Sequence, residues 1–131
     1  MNKQFVWIFG VVGFMATATH AEITKENIQL LQQEAEQGNV DAQYDLALRY
    51  KFGNGVAQDY HEAFDRLNFL ANQGYIAAQY YLAVMYENGE GVPQDTQQAL
   101  KWYGKAAIKG HYGAMAALMA NKIKQDKKEV D

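Results

Sequence analysis

A period of 36 residues runs through the middle of this sequence. Residues 39–74 and 75–110 align without a gap, and fourteen of the thirty-six positions are identical. The matched pairs include Ala42/Ala78, Gln43/Gln79, Tyr44/Tyr80, Leu46/Leu82, Ala47/Ala83, Tyr50/Tyr86, Gly53/Gly89, Gly55/Gly91, Gln58/Gln94, Asp59/Asp95 and Gly74/Gly110. The register extends beyond both copies. Ala35 and Gly38 match one period upstream, and Ala114 and Leu118 one period downstream. A period of this length is the mark of a repeat array, in which each unit buries its apolar face only against its neighbours.

Each unit reads as two helices. Ala42, Leu46 and Tyr50 recur every fourth residue and form one apolar stripe. Gly53-Asn54-Gly55 and Gly89-Glu90-Gly91 then stop the first helix. Asp59 and Asp95 cap the second. Asp59 with Glu62, and Asp95 with Gln98, have the spacing of a reciprocal capping box. Ala63, Leu67, Leu70 and Ala71 make the apolar face of the second helix, and Gly74 closes it. The expected array is therefore a capping helix within 22–38, spanning about Lys25 to Gln37, and two full repeats over 39–110. A last first-type helix and a charged tail occupy 111–131, with the tail from Lys122 fraying into solvent.

Ahead of the array, residues 1–21 have the layout of a secretory leader. Lys3 provides the positive start, Phe5 to Met15 the apolar run, and cleavage fits after Ala18 or after Ala21. The run is too short for a membrane anchor, so no stable membrane insertion is expected once the leader is gone. Its loss moves the formal charge from −3 to −4. The periplasm or the exterior of a bacterial cell is the expected destination.

The pattern Ala-x-x-x-Leu-Ala-x-x-Tyr-x-x-Gly-x-Gly-Val-x-x-Asp, followed by Ala and Ala-x-x-Gly, resembles the Sel1-like repeat family, relatives of the tetratricopeptide repeats. Residues 42–74 and 78–110 each carry it, and Gln98 to Ala107 matches its second half closely. The resemblance implies an all-α, right-handed α-solenoid of antiparallel helix pairs. It also implies a scaffold or adaptor that binds a protein or peptide. One branch of cysteine-rich exported proteins with these repeats has been described as having β-lactamase or penicillin-binding activity. This chain departs from that branch.

The departure is compositional. The sequence contains no cysteine and no serine. Serine or cysteine nucleophiles, disulfides and thiolate metal sites are thereby excluded. His61 and His111 lack the convergent partners that zinc requires, so no metal or cofactor is expected. The paired carboxylates Glu34/Glu36 and Glu87/Glu90 lie in no obviously apolar setting that would raise a carboxyl pKa. An acidic chain without a basic stripe does not suit nucleic acid. Binding is the leading expectation, with a cell-wall-related enzyme or ligand binder as the alternative, which would need a convergent polar pocket.

In such a solenoid the first helices line the concave face. The candidate partner-binding residues are Tyr44, Leu48 and Phe52 in repeat one and Tyr80, Tyr81, Val84 and Glu87 in repeat two, with Lys51 and Asn88 beside them. Tyrosines bring large area, few rotors and an orienting hydroxyl. Two roles fit Tyr44 and Tyr80, which share one helical position and should stack side by side: groove lining or inter-repeat packing. A groove of two repeats is short, so modest affinity or self-association is expected.

Overall fold

A computed structural model describes residues 20–130, with side chains described for Lys25 and from Asn27 onward. The leader read at 1–21 lies outside the described residues except for His20 and Ala21. Six helices follow one another: α1 (His20–Glu36), α2 (Val40–Phe52), α3 (Tyr60–Asn72), α4 (Ile76–Asn88), α5 (Thr96–Ile108) and α6 (Tyr112–Val130). Among the described residues there is no strand. Each helix packs chiefly on the next in sequence, from α1 on α2 through α5 on α6. This is the one-dimensional stacking of an α-solenoid.

The local signals act as their chemistry requires. The turn after α3 shows how the pairs reverse direction. Gly74 has φ +91°, and the Tyr75 amide donates to the Leu70 carbonyl at 3.0 Å. That closure needs a left-handed residue, which glycine supplies without strain. The turns at Gly38 and Gly110 repeat it, with φ of +92° and +91°. The Asn39 side chain accepts from the Asp41 and Ala42 amides at the start of α2. Asp59 does the same for His61 and Glu62 ahead of α3, and Asp95 for Gln98 ahead of α5.

Only half of each capping box forms. The Asp59 and Asp95 amides donate instead to the Tyr50 and Tyr86 carbonyls, both at 2.9 Å, so they are not free for a side chain to reach back to. Glu62 turns outward and accepts from Arg66 at 2.7 Å.

The core is built from small side chains and a few large ones. Ala47, Ala63, Ala78, Ala83, Ala106 and Ala114 are fully buried, and Leu67, Leu70, Leu82 and Met85 fill the space between them. A smaller cluster of Ala35, Ala42 and Leu46 joins α1 to α2. Tyr50 and Tyr86 lie at the rim of the core, half-buried. The Phe64 ring meets Tyr86 edge-on at 5.4 Å.

Two helices exceed their expected bounds. α1 is already helical at His20, upstream of Lys25, and Ala21 to Thr24 contains no helix breaker. α6 runs on through the charged tail to Val130 as an exposed helix. Gln125 and Lys127 stand where the repeats have Gly89 and Gly91, so nothing stops it. No helix among the described residues is long and apolar enough to cross a membrane.

Lys51 departs from its expected place on the groove. It is 5% exposed, and its ammonium lies 2.7 Å from Glu90 Oε2 and 4.7 Å from the centre of the Phe52 ring. A buried ammonium must be paired, and the partner comes from the loop of the following repeat. Gly91 of that loop presses on the backbone of α3. A Cβ there would lie 2.4 Å from the Tyr60 carbonyl oxygen, and φ is already +73°.

Two pairs of substitutions test this account. Gly91→Ala should lower stability by about 2–3 kcal/mol through left-handed strain and the backbone clash. Gly104→Ala, in the middle of α5 with open space around it, should raise stability by about 0.5–1 kcal/mol. Urea unfolding followed by circular dichroism reads both, and the same sign for the two would contradict the packing described. Lys51→Ala should cost about 1–3 kcal/mol, because it leaves Glu90 partly buried and unpaired. Glu90→Gln, which keeps an acceptor, should cost less. Wild-type stability in Lys51→Ala would show that the ion pair does not hold the repeats together.

Candidate functional site

The first-type helices of both repeats carry a connected row of rings. Tyr44 on α2 meets Tyr75 at 5.1 Å and Tyr81 at 6.2 Å between centroids. Tyr81 on α4 meets Phe52 edge-on at 6.3 Å and its neighbour Tyr80 at 5.2 Å. Tyr80 continues to Tyr103 at 5.8 Å and stacks on His111 at 4.4 Å with only 21° between the planes. Tilted and edge-on pairs at these separations are favourable for aromatic quadrupoles. Tyr44 and Tyr80 do not stack on each other, as repeat symmetry alone would suggest. Tyr81, which the first repeat lacks, sits between them.

This row has polar fixings. The Tyr75 hydroxyl donates to Asp41 Oδ1 at 2.8 Å, tying the start of α4 to the start of α2. The Tyr103 hydroxyl donates to Glu87 Oε2 at 2.6 Å. His111 Nδ1 accepts from the Ala114 amide at 3.2 Å, capping α6 and fixing the ring against Tyr80. Burial, then the neighbouring Tyr81 and Tyr75, push the Tyr44 phenol up to about 12. The hydrogen bond to Asp41 raises Tyr75, and burial followed by the bond to Glu87 raises Tyr103. All three are neutral hydroxyls at physiological pH.

The seven candidates separate by exposure. Tyr44, Leu48, Tyr80, Tyr81 and Val84 are half-buried, and all except Leu48 pack against the main core. Packing is thus one role of Tyr44 and Tyr80, and part of each side chain still reaches solvent. Phe52 is 59% exposed. Glu87 is exposed as a residue, with one carboxylate oxygen held by Tyr103.

Tyr80, Val84 and Glu87 also line a groove of about 970 Å³ between α4, α5 and α6. Its other walls are Leu100 and Tyr103 from α5 and Ala116, Ala117, Ala120 and Lys124 from α6. Tyr103 and Tyr75 escaped the sequence reading, and His111 entered it only as a metal-ligand candidate. Tyr103 stands at the position of Leu67, so a polar tip at a core register was its signal. Tyr75 and His111 share the register of the Asn39 cap, at the turn before a first-type helix.

The repeat glutamines have structural work. The Gln43 and Gln79 amides donate to the Ala35 and Ala71 carbonyls at 3.0 and 3.1 Å. The Gln58 and Gln94 amides donate to the Lys51 and Glu87 carbonyls at 2.9 and 2.8 Å. Gln58 and Gln94 reach carbonyls in the last turn of a helix, and Gln43 and Gln79 add a second donor to carbonyls that already accept from the Gly38 and Gly74 amides.

Known proteins place this geometry. The Sel1 repeat family matches residues 40–75 and 76–111. A Sel1 repeat protein from Oxalobacter formigenes is 38% identical, with a TM-score of 0.66 over 71% of this chain and 70% of its own. A protective antigen of uropathogenic Escherichia coli strains, displaying an SLR fold, is 46% identical with a TM-score of 0.66 over 70% of this chain. The matched region is 20% of that antigen's length. Helicobacter pylori cysteine rich protein B shares the fold at 22% identity, with a TM-score of 0.64 over 79% of each chain. No curated protein matches the sequence. Two matched repeats spanning more than half the chain, on a six-helix solenoid, make this protein a member of the Sel1 repeat family.

Proposed function

We propose that this protein is a non-catalytic interaction module that holds a peptide or a protein surface against the concave side lined by α2, α4 and α6. The observation that supports the reading is the row of half-exposed rings on the first-type helices, with Phe52 at one end and Tyr80 beside an open groove at the other. Rigid aromatics with partial exposure give contact area at little entropic cost, and they are enriched where proteins bind one another. The hydroxyls already engaged with Asp41 and Glu87 hold the rings in place before a partner arrives, which lowers the cost of ordering on binding.

Affinity capture from a cell-envelope fraction tests this. Phe52→Ala with Tyr81→Ala serves as the control bait, checked for helical content and cooperative melting. A partner enriched by the wild type should fall at least tenfold with the folded variant. Equal enrichment by both baits would remove the aromatic row from the binding surface, and no enrichment by either would remove the protein-partner reading.

Export belongs to the same proposal. The leader read at residues 1–21 would deliver the solenoid to the periplasm or the exterior. Mass spectrometry of the protein from a periplasmic extract should find an N-terminus at Thr19 or Glu22. Recovery of the chain beginning at Met1 in the cytoplasmic fraction would reject export.

A further inference from the structure

The two junctions of the solenoid are built from the same register, yet they carry different side chains, and a groove opens at the second. At the first, between α2, α3 and α4, Tyr81 lies against Tyr44 and Phe52 against Tyr81, while Phe64 packs on Tyr86 and Tyr60 lies near the Lys51 ammonium. One period later the positions of Phe52, Tyr60, Phe64 and Tyr81 are Asn88, Thr96, Leu100 and Ala117. All four changes remove volume, and each removes a ring outright; one change runs the other way, since Tyr103 stands where the first repeat has Leu67. The groove of about 970 Å³ lies at this second junction, with Thr96, Leu100 and Ala117 among its walls. Tyr80, the counterpart of Tyr44, therefore lacks the ring that Tyr81 provides to Tyr44 at 6.2 Å.

The charge at the groove points to the rest of the ligand. Its ionic walls are Glu87 and three lysines of α6, Lys124, Lys127 and Lys128. The Glu87 carboxylate is engaged by the Tyr103 hydroxyl. None of the three lysines takes part in an ion pair among the described residues, and all three are exposed. The rim thus presents net positive charge in a chain that is acidic as a whole.

We propose that the groove between α4, α5 and α6 receives an aromatic side chain of a partner peptide, flanked by acidic residues. The ring enters beside Tyr80 over Ala117, where Tyr81 sits in the preceding junction. The neighbouring carboxylates meet Lys124, Lys127 and Lys128. This deepens the interaction-module reading and rests on it, by naming where a partner docks and what it must carry.

The probe is a fluorescein-labelled, end-blocked dodecapeptide with one phenylalanine among glutamates and glycines, titrated by fluorescence anisotropy. The wild type should bind it. Changing the phenylalanine to alanine, or the glutamates to lysines, should weaken binding at least tenfold. Ala117→Tyr places the missing ring in the groove and should weaken binding at least tenfold while retaining cooperative melting. Lys124→Glu with Lys128→Glu, both on the exposed side of α6, should do the same without touching the core.

Undiminished binding by folded Ala117→Tyr or by the lysine variant would overturn the proposal, as would failure of the wild type to bind. A concentration-dependent dimer in sedimentation, lost in Ala117→Tyr, would also overturn it, because a second copy would then fill the groove. The broader reading is judged apart from this one. An envelope protein captured equally by the wild type and by Ala117→Tyr, yet lost with the Phe52/Tyr81 variant, would leave the module intact and refute only this groove.

Discussion

Close approach of helices at alanine is the constraint on which the remainder of this structure rests. Ala63, Ala78, Ala83 and Ala106 have no exposed surface, and they lie on three successive helices of the stack, α3, α4 and α5. A larger side chain at any of these positions would push its neighbour away and open the stack along its length. With the spacing set by methyl groups, a handful of large side chains suffices to fill what remains. Leu67, Leu70, Leu82 and Met85 do so, joined by Trp102 and Tyr103 from α5. The same spacing brings the ends of consecutive helices within reach of single side chains, which is why polar groups can span the junctions.

Those polar spans deal with a problem that every short helix has. Each helix end leaves carbonyls without an intrahelical partner, and a solenoid of thirteen-residue helices has many ends in little volume. Gln58 and Gln94 answer it at one end of the pair, and Gln43 and Gln79 add to the turn amides at the other. The repeated glutamine side chains are therefore engaged by the fold through their amide nitrogens. Lys51 and Glu90 belong with them: an ion pair between repeats, seated under an aromatic ring where water is scarce. Once these groups are assigned to the scaffold, the side chains left to do anything else are few. They are the exposed edges of the aromatic row and the walls of the groove.

Much of this could be read from residues alone, because the governing signals are local or periodic. Glycine at 74 and 110 marks a left-handed closure, aspartate at 59 and 95 marks a cap, and alanine with leucine every fourth residue marks a buried stripe. What escaped reading depends on which distant residue arrives at a given point. Lys51 looked like a surface cation because its partner comes from the next repeat's loop. The capping boxes closed only halfway because the Asp59 and Asp95 amides were already taken by Tyr50 and Tyr86, a contact across the loop that no spacing rule encodes. Tyr44 and Tyr80 looked like stacking partners because both occupy one register, and the ring between them comes from Tyr81, which breaks that register.

Departures from the repeat are where function can be sought in a molecule of this kind. A position that recurs has a job in every unit, and the structure gives it one, as with the glutamines, the glycines and the alanines. A position that changes between units has been released from that job. At the second junction four such changes run from large to small, against one, Leu67 to Tyr103, that adds a ring. A core tolerates one lost ring by local relaxation, but several at one place leave space that the neighbouring helices do not close. α6 adds to the effect, since Ala116, Ala117 and Ala120 face the gap with methyl groups where α4 offers Tyr80, Tyr81 and Val84. The helix then continues past the point where the repeats would have turned away, and it carries its lysines along the open side. The absence of glycine at 125 and 127 therefore does two things at once: it prolongs α6, and it sets a basic edge beside an apolar floor.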